Sequence, residues 1–187
     1  MTRTLVLGGA RSGKSAFAER LASASGKEVV YLATAQARDG EMAARIAHHR
    51  AQRPASWPTV EEPLQLGAAL RAHAAPGRLL LVDCLTLWLS NLMFCSGEAY
   101  PEVGAIELPA QFHHERAQFL TVLDGIDCDD CEIVLVSNEV GMGIVPYGAI
   151  SRAFLDEAGR LNQAVAAVCD RAVFVAAGLP LYLKGAA

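Results

Sequence analysis

The stretch GGARSGKS, Gly8 to Ser15, follows the apolar run Thr4–Leu7 and precedes a helix-like pattern. Its spacing, Gly8-x4-Gly13-Lys14-Ser15, suits a loop that wraps the phosphates of a nucleoside triphosphate. Gly8 and Gly13 let the backbone curl so that its amides point inward at a β-phosphate. Lys14 then reaches the β and γ oxygens, and the Ser15 hydroxyl suits a Mg²⁺ ion. A second candidate is Asp83, which ends the apolar run LLLVD. A carboxylate at the end of a buried strand can hold Mg²⁺ through water opposite such a loop. Its other reading is a cap for the helix whose pattern begins at Leu85.

The segment EMAARIAHHR offers a nucleophile. As a helix over Glu41–Arg53, its 100° step puts Glu41, Arg45, His48 and Gln52 on one stripe. Met42 and Ile46 lie to one side and His49 falls between, so His48 is expected to face water or a ligand. Arg45 with Arg50 or Arg53 suits phosphate oxygens. The same pattern also fits an ordinary amphipathic helix with two surface histidines. His113-His114 lacks a comparable arginine setting and reads as surface. In SNEVGMGIVP, Asn138 and Glu139 sit where a nucleotide or acceptor would lie, unless the stretch is only a strand end with Gly141 and Gly143 as breakers.

These residues need elements to hold them. Short, nearly all-apolar runs at Thr4–Leu7, Glu28–Ala33, Leu79–Val82, Glu132–Val136 and Ala172–Ala176 read as strands buried on both faces. Helical patterns at Lys14–Ser23, Glu41–Arg53, Leu64–His73, Leu85–Phe94, Ala110–Leu123 and Gly148–Val168 alternate with them. The alternation predicts one doubly wound α/β domain over residues 1–187 with a mostly parallel sheet of the RecA-like phosphate-loop type. Ligands gather at the carboxyl ends of such strands. Those ends carry Gly8–Ser15, Thr34-Ala35-Gln36, Asp83 and Ser137-Asn138-Glu139. Ser96–Pro109 is irregular and reads as a surface insertion.

The 187 residues are 52% hydrophobic and 19% charged, which indicates a globular chain. A net charge of −4 without a Lys/Arg cluster argues against nucleic-acid binding. The longest apolar stretch contains Asp83, Ser90 and Asn91, so no membrane span is expected, and the N-terminus does not read as a signal peptide. A cytoplasmic protein is the expectation. Five cysteines favour free thiols, with Cys128-Asp-Asp-Cys131 an incidental surface loop.

Taken together, GGARSGKS, EMAARIAHHR, SNEVGMGIVP and AGRLNQ resemble the bifunctional adenosylcobinamide kinase / adenosylcobinamide-phosphate guanylyltransferase family of cobalamin synthesis. The resemblance runs from the N-terminus to beyond Asn162. It implies phosphorylation of the aminopropanol hydroxyl of adenosylcobinamide, then GMP transfer from GTP onto that phosphate through a guanylylated histidine, here His48. It implies GTP and ATP as substrates, Mg²⁺ bound by Ser15 and Asp83, and a homo-oligomer of trimer type. The nucleotide contacts it implies are Gly8, Gly9, Ala10, Arg11, Ser12, Gly13, Lys14 and Ser15, then Thr34, Ala35 and Gln36. It adds His49, Arg50, Ala51 and Gln52, a carboxylate of Glu61 or Glu62, and Asp83, where the family commonly has Glu. The rival readings are a plain small-molecule kinase without a covalent step and a non-catalytic RecA-like nucleotide-binding module.

Overall fold

The first strand in the chain is an interior strand of the sheet. β1 (Thr2–Gly8) is Leu- and Val-rich, and Leu5, Val6 and Leu7 are all buried. It leads into α1 (Lys14–Ala24), β2 (Glu28–Ala33), α2 (Gly40–Gln52) and the three-residue β3 (Thr59–Glu61). There follow α3 (Leu66–His73), β4 (Arg78–Asp83), α4 (Leu85–Met93), α5 (Ala110–Gly125) and β5 (Glu132–Asn138). The chain ends with α6 (Ala149–Val168), β6 (Arg171–Ala176) and β7 (Leu179–Lys184). This computed structural model describes residues 1–37, 39–97 and 99–186, and all of their side chains except those of Glu41, Arg45, His48 and Gln52.

The strands form one sheet in the order β3-β2-β4-β5-β1-β6-β7. Every pairing is parallel except β6 with β7, which is antiparallel. Strand alternation divides the core into two layers. Leu5, Leu7, Val30, Leu32, Leu80, Val82, Ile133 and Leu135 pack beneath α3, α4, α5 and α6. Val6, Val29, Tyr31, Leu79, Leu81, Val134 and Val136 pack beneath α1 through Phe17, Ala18 and Ala22. Helices on both faces make the expected doubly wound fold.

α2 differs from the rest. None of its described residues is buried, and Met42 and Ile46 are only half-buried. Asp39 caps its start by accepting the Met42 amide at 2.7 Å.

Two strands depart from the pattern expected from sequence. β3 is too short to show a period. β7 carries Pro180, which belongs on a sheet edge, and β7 is the edge. Cys131 also differs from expectation: it is buried at the start of β5, although all five thiols are free. No regular element lies between Met93 and Ala110 among the described residues. That stretch is anchored at Glu102, whose carbonyl accepts the Ala149 amide at 2.9 Å, and Leu108 packs on the core. No described helix is long and apolar enough to cross a membrane.

Candidate functional site

The phosphate loop turns between β1 and α1. Gly13 takes φ +92° immediately before Lys14, a conformation glycine adopts without penalty. Gly8 is fixed by space instead: a Cβ there would lie 2.5 Å from both Ser12 Oγ and the Val175 carbonyl. The two glycines of the motif thus serve different needs, one conformational and one steric. The Ser12 amide donates to Gly9 O at 3.2 Å, closing the turn. Lys14 is buried, and its Nζ donates to Gly9 O at 3.3 Å, which keeps the ammonium over the loop. The turn between β6 and β7 braces the loop from outside, where Gly178 N donates to Ser12 O at 2.8 Å.

Asp83 ends β4 on the face shared with Tyr31 and Leu81. Tyr31 donates its hydroxyl to Asp83 Oδ2 at 2.8 Å. Burial foremost, then the Asp83 charge, holds the Tyr31 phenol well above its ordinary range, so it stays a donor. Cys84, the residue before α4, makes no side-chain cap, and the Asp83 carboxylate is engaged by Tyr31. Neither contact caps α4. Glu19 on α1 senses the same charge: burial first and Asp83 second raise its pKa, with Arg53 opposing.

Arg53 joins α2 to this cluster. Its guanidinium stacks 3.6 Å from the Tyr31 ring centroid, and its Nε donates to His49 O at 3.3 Å. A chain of contacts therefore runs from the end of α2 through Arg53 and Tyr31 to Asp83.

The end of β5 closes the other side. Glu139 N donates to Gly8 O at 3.1 Å, so the NEVGMG turn starts against the phosphate loop. Asn138 Nδ2 donates to Thr86 Oγ1 at 2.6 Å. Ser137 Oγ donates to Asn162 Oδ1 at 2.7 Å, and Asn162 Nδ2 returns to Asn138 O at 3.1 Å. Asn162 in AGRLNQ thus fixes the strand end from α6.

A family model described as cobinamide kinase / cobinamide phosphate guanyltransferase matches residues 4–183. The chain belongs to this family. It is 55% identical to the bifunctional adenosylcobalamin biosynthesis protein CobP of Pseudomonas aeruginosa over 98% of each chain. It is 42% identical to the bifunctional adenosylcobalamin biosynthesis protein CobU of Salmonella typhimurium, over 96% of this chain and 98% of that one. Among solved structures, it resembles an ATPase of a bacterial type III secretion system, with a TM-score of 0.56 and 13% identity. The match covers 97% of this chain and 56% of that one, and it shows the phosphate-loop ATPase fold alone.

On this cobinamide kinase / guanyltransferase chain, the expected residues fall into three groups. Gly8–Ser15, Asp83, Asn138 and Glu139 cluster at the carboxyl ends of β1, β4 and β5. Thr34 adjoins them, but its hydroxyl is engaged by the Cys84 peptide, accepting from its N at 2.9 Å and donating to its O at 2.8 Å. Ala35 is half-buried and Gln36 exposed. Glu61 ends β3 and is exposed, whereas Glu62 Oε1 accepts the amides of Leu64 and Gln65 at 2.9 and 2.7 Å and so serves the approach to α3. His49, Arg50 and Ala51 are exposed on α2. The side chains of Glu41, Arg45, His48 and Gln52, the whole predicted stripe, lie outside the described residues.

Tyr31 and Glu19 are absent from the expected set, and Arg53 figures there only as a phosphate ligand. A signal for Tyr31 existed. It is the one polar-tipped side chain inside β2, and alternation puts it on the face of Leu79, Leu81 and Asp83. Glu19 carried none, being one charged residue on an exposed-looking helix.

Proposed function

We propose that the two activities of this family share one nucleotide site in this chain, with His48 as the residue that carries GMP. The chain is an adenosylcobinamide kinase and adenosylcobinamide-phosphate guanylyltransferase of cobalamin biosynthesis. The observation that carries the one-site reading is the phosphate loop with Lys14 over it, flanked by Asp83 on one side and the NEVGMG turn on the other. The sequence contains one such loop.

In the kinase step the acceptor hydroxyl oxygen bonds to the γ-phosphorus, the bond to the β–γ bridging oxygen breaks, and the hydroxyl proton departs. Such transfer asks chiefly for positioning and charge stabilisation. The loop amides and Lys14 provide both. In the second step a neutral His48 imidazole nitrogen attacks the α-phosphorus of GTP and pyrophosphate leaves. An oxygen of the acceptor phosphate then takes GMP and breaks the phosphorus–nitrogen bond. Arg45, three residues before His48 on the same helix, would offset charge on the transferred group.

The donors fit Mg²⁺. A hydroxyl and a carboxylate oxygen suit an ion that keeps water and substrate phosphates as its other ligands. Ser15 and Asp83 would hold it. Bound there, it would neutralise charge on the phosphate oxygens. The reading extends to a cytoplasmic homotrimer, which sedimentation and cell fractionation check.

Incubation with α- and γ-labelled GTP in parallel tests the covalent step. The α-label should stay with the protein and the γ-label should not. The adduct should be lost in mild acid and survive mild alkali, and labelling should fall below about pH 6.5, where an ordinary histidine protonates. His48→Ala should abolish it. Mapping of GMP to His49, or no adduct at all, would overturn the assignment.

A further inference from the structure

Four large apolar side chains stand in the open on the turn that leaves β5: Met142, Ile144, Val145 and Tyr147, with Ile144 97% exposed. The turn is not loose. Arg152 donates to the carbonyls of Pro146 and Tyr147, and Ala149 N is held by Glu102 O. Beside it, α4 and α6 complete a groove of about 410 Å³ lined by Phe94, Val140, Ile144, Ile150, Phe154 and Leu155. Among the described residues that line it, Ser90 and Ser151 are the polar ones and none is charged. An exposed apolar patch joined to a groove marks a binding surface.

We propose that this groove and turn take the apolar flank of the corrinoid acceptor, holding the macrocycle while its hydroxyl-bearing arm reaches the phosphate loop. The inference rests on the proposed function. Three observations select this occupant. The turn is continuous with the nucleotide site, since Glu139 N bonds to Gly8 O and Val140 already lines the groove. Among the described residues the lining offers no cation to pair with the phosphates of a second nucleotide. The acceptor of a cobinamide kinase is a macrocycle fringed with methyl groups and amide arms, so an apolar wall with two hydroxyls matches it. Contact area on its ring would be gained equally before and during reaction, which lowers KM without changing kcat.

Ile144→Ser and Val145→Ser change exposed side chains, so neither disturbs the core. In each, the KM for adenosylcobinamide should rise by about tenfold, as expected for losing one buried aliphatic contact, with kcat and the Kd for GTP nearly unchanged. Ile144→Leu should retain the wild-type KM. Unchanged KM in both serine variants overturns the docking surface while leaving the proposed function standing. A shift of oligomeric state in those variants also overturns it, because the patch would then be covered by a second copy. Failure of the wild-type protein to phosphorylate adenosylcobinamide would remove the proposed function and this inference with it.

Discussion

Lys14 is held over the phosphate loop by the loop's own Gly9 carbonyl, so one ammonium group serves any triphosphate bound there. Lys14→Ala should therefore abolish both phosphoryl transfer and protein guanylylation, measured separately. Guanylylation persisting near the wild-type rate would mean two sites. Among the described residues, the Tyr31 hydroxyl is the donor that orients Asp83. Asp83→Asn should weaken the Mg²⁺ dependence of turnover strongly. Tyr31→Phe should do so mildly, because the ring stays beneath Arg53 while one hydrogen bond, about 1 kcal/mol of stability, is lost. Mg²⁺ titrations of both variants that superimpose on the wild-type curve would remove Asp83 from the metal site.

The elements were largely legible before the structure, and the reasons are physical. β1, β2, β4, β5 and β6 are buried on both faces, so their apolar runs stand out from the stretches between them. β3 and β7 were hidden because a three-residue strand has no pattern and Pro180 breaks one. The phosphate loop was legible because its glycines are required by backbone shape and space. Tyr31 and Arg53 were not read as a pair because a stack between residues on different elements leaves no spacing in sequence. Helix α2 shows the same limit: its periodicity gave its extent to within a residue, Glu41–Arg53 against Gly40–Gln52, but not that its described residues contribute nothing buried to the core.

For the whole molecule, the cysteines report how tightly the layers close. Burial pushes the Cys84 thiol up to about 11 and the Cys169 thiol to about 12, the latter helped by the Asp170 charge. Cys131 is raised as well, by burial and then by Cys128. At pH 8, iodoacetamide should modify Cys95 and Cys128 in the folded protein and reach the other three only after unfolding. Rapid modification of Cys169 in the native state would contradict its burial with Leu161 and Val165 at the end of α6. The linkage follows in sign. A thiol raised in the folded state favours folding while protonated, so its contribution is present below the ordinary value of 9.0 and is lost as pH rises toward about 12. Cys169→Ala should accordingly flatten the fall in thermal midpoint above pH 9.

β1 lies between β5 and β6, and Gly178 completes the loop that β1 begins. During synthesis the first strand emerges from the ribosome with both of its neighbours still untranslated. It stays unpaired until residue 132 and beyond have appeared, and Ser12 lacks its last backbone partner until Gly178 is free of the exit tunnel. Pairings so distant in sequence form slowly. A nascent chain of this protein should therefore gain affinity for GTP only once Gly178 has left the tunnel, and arrested chains ending near β5 should show none.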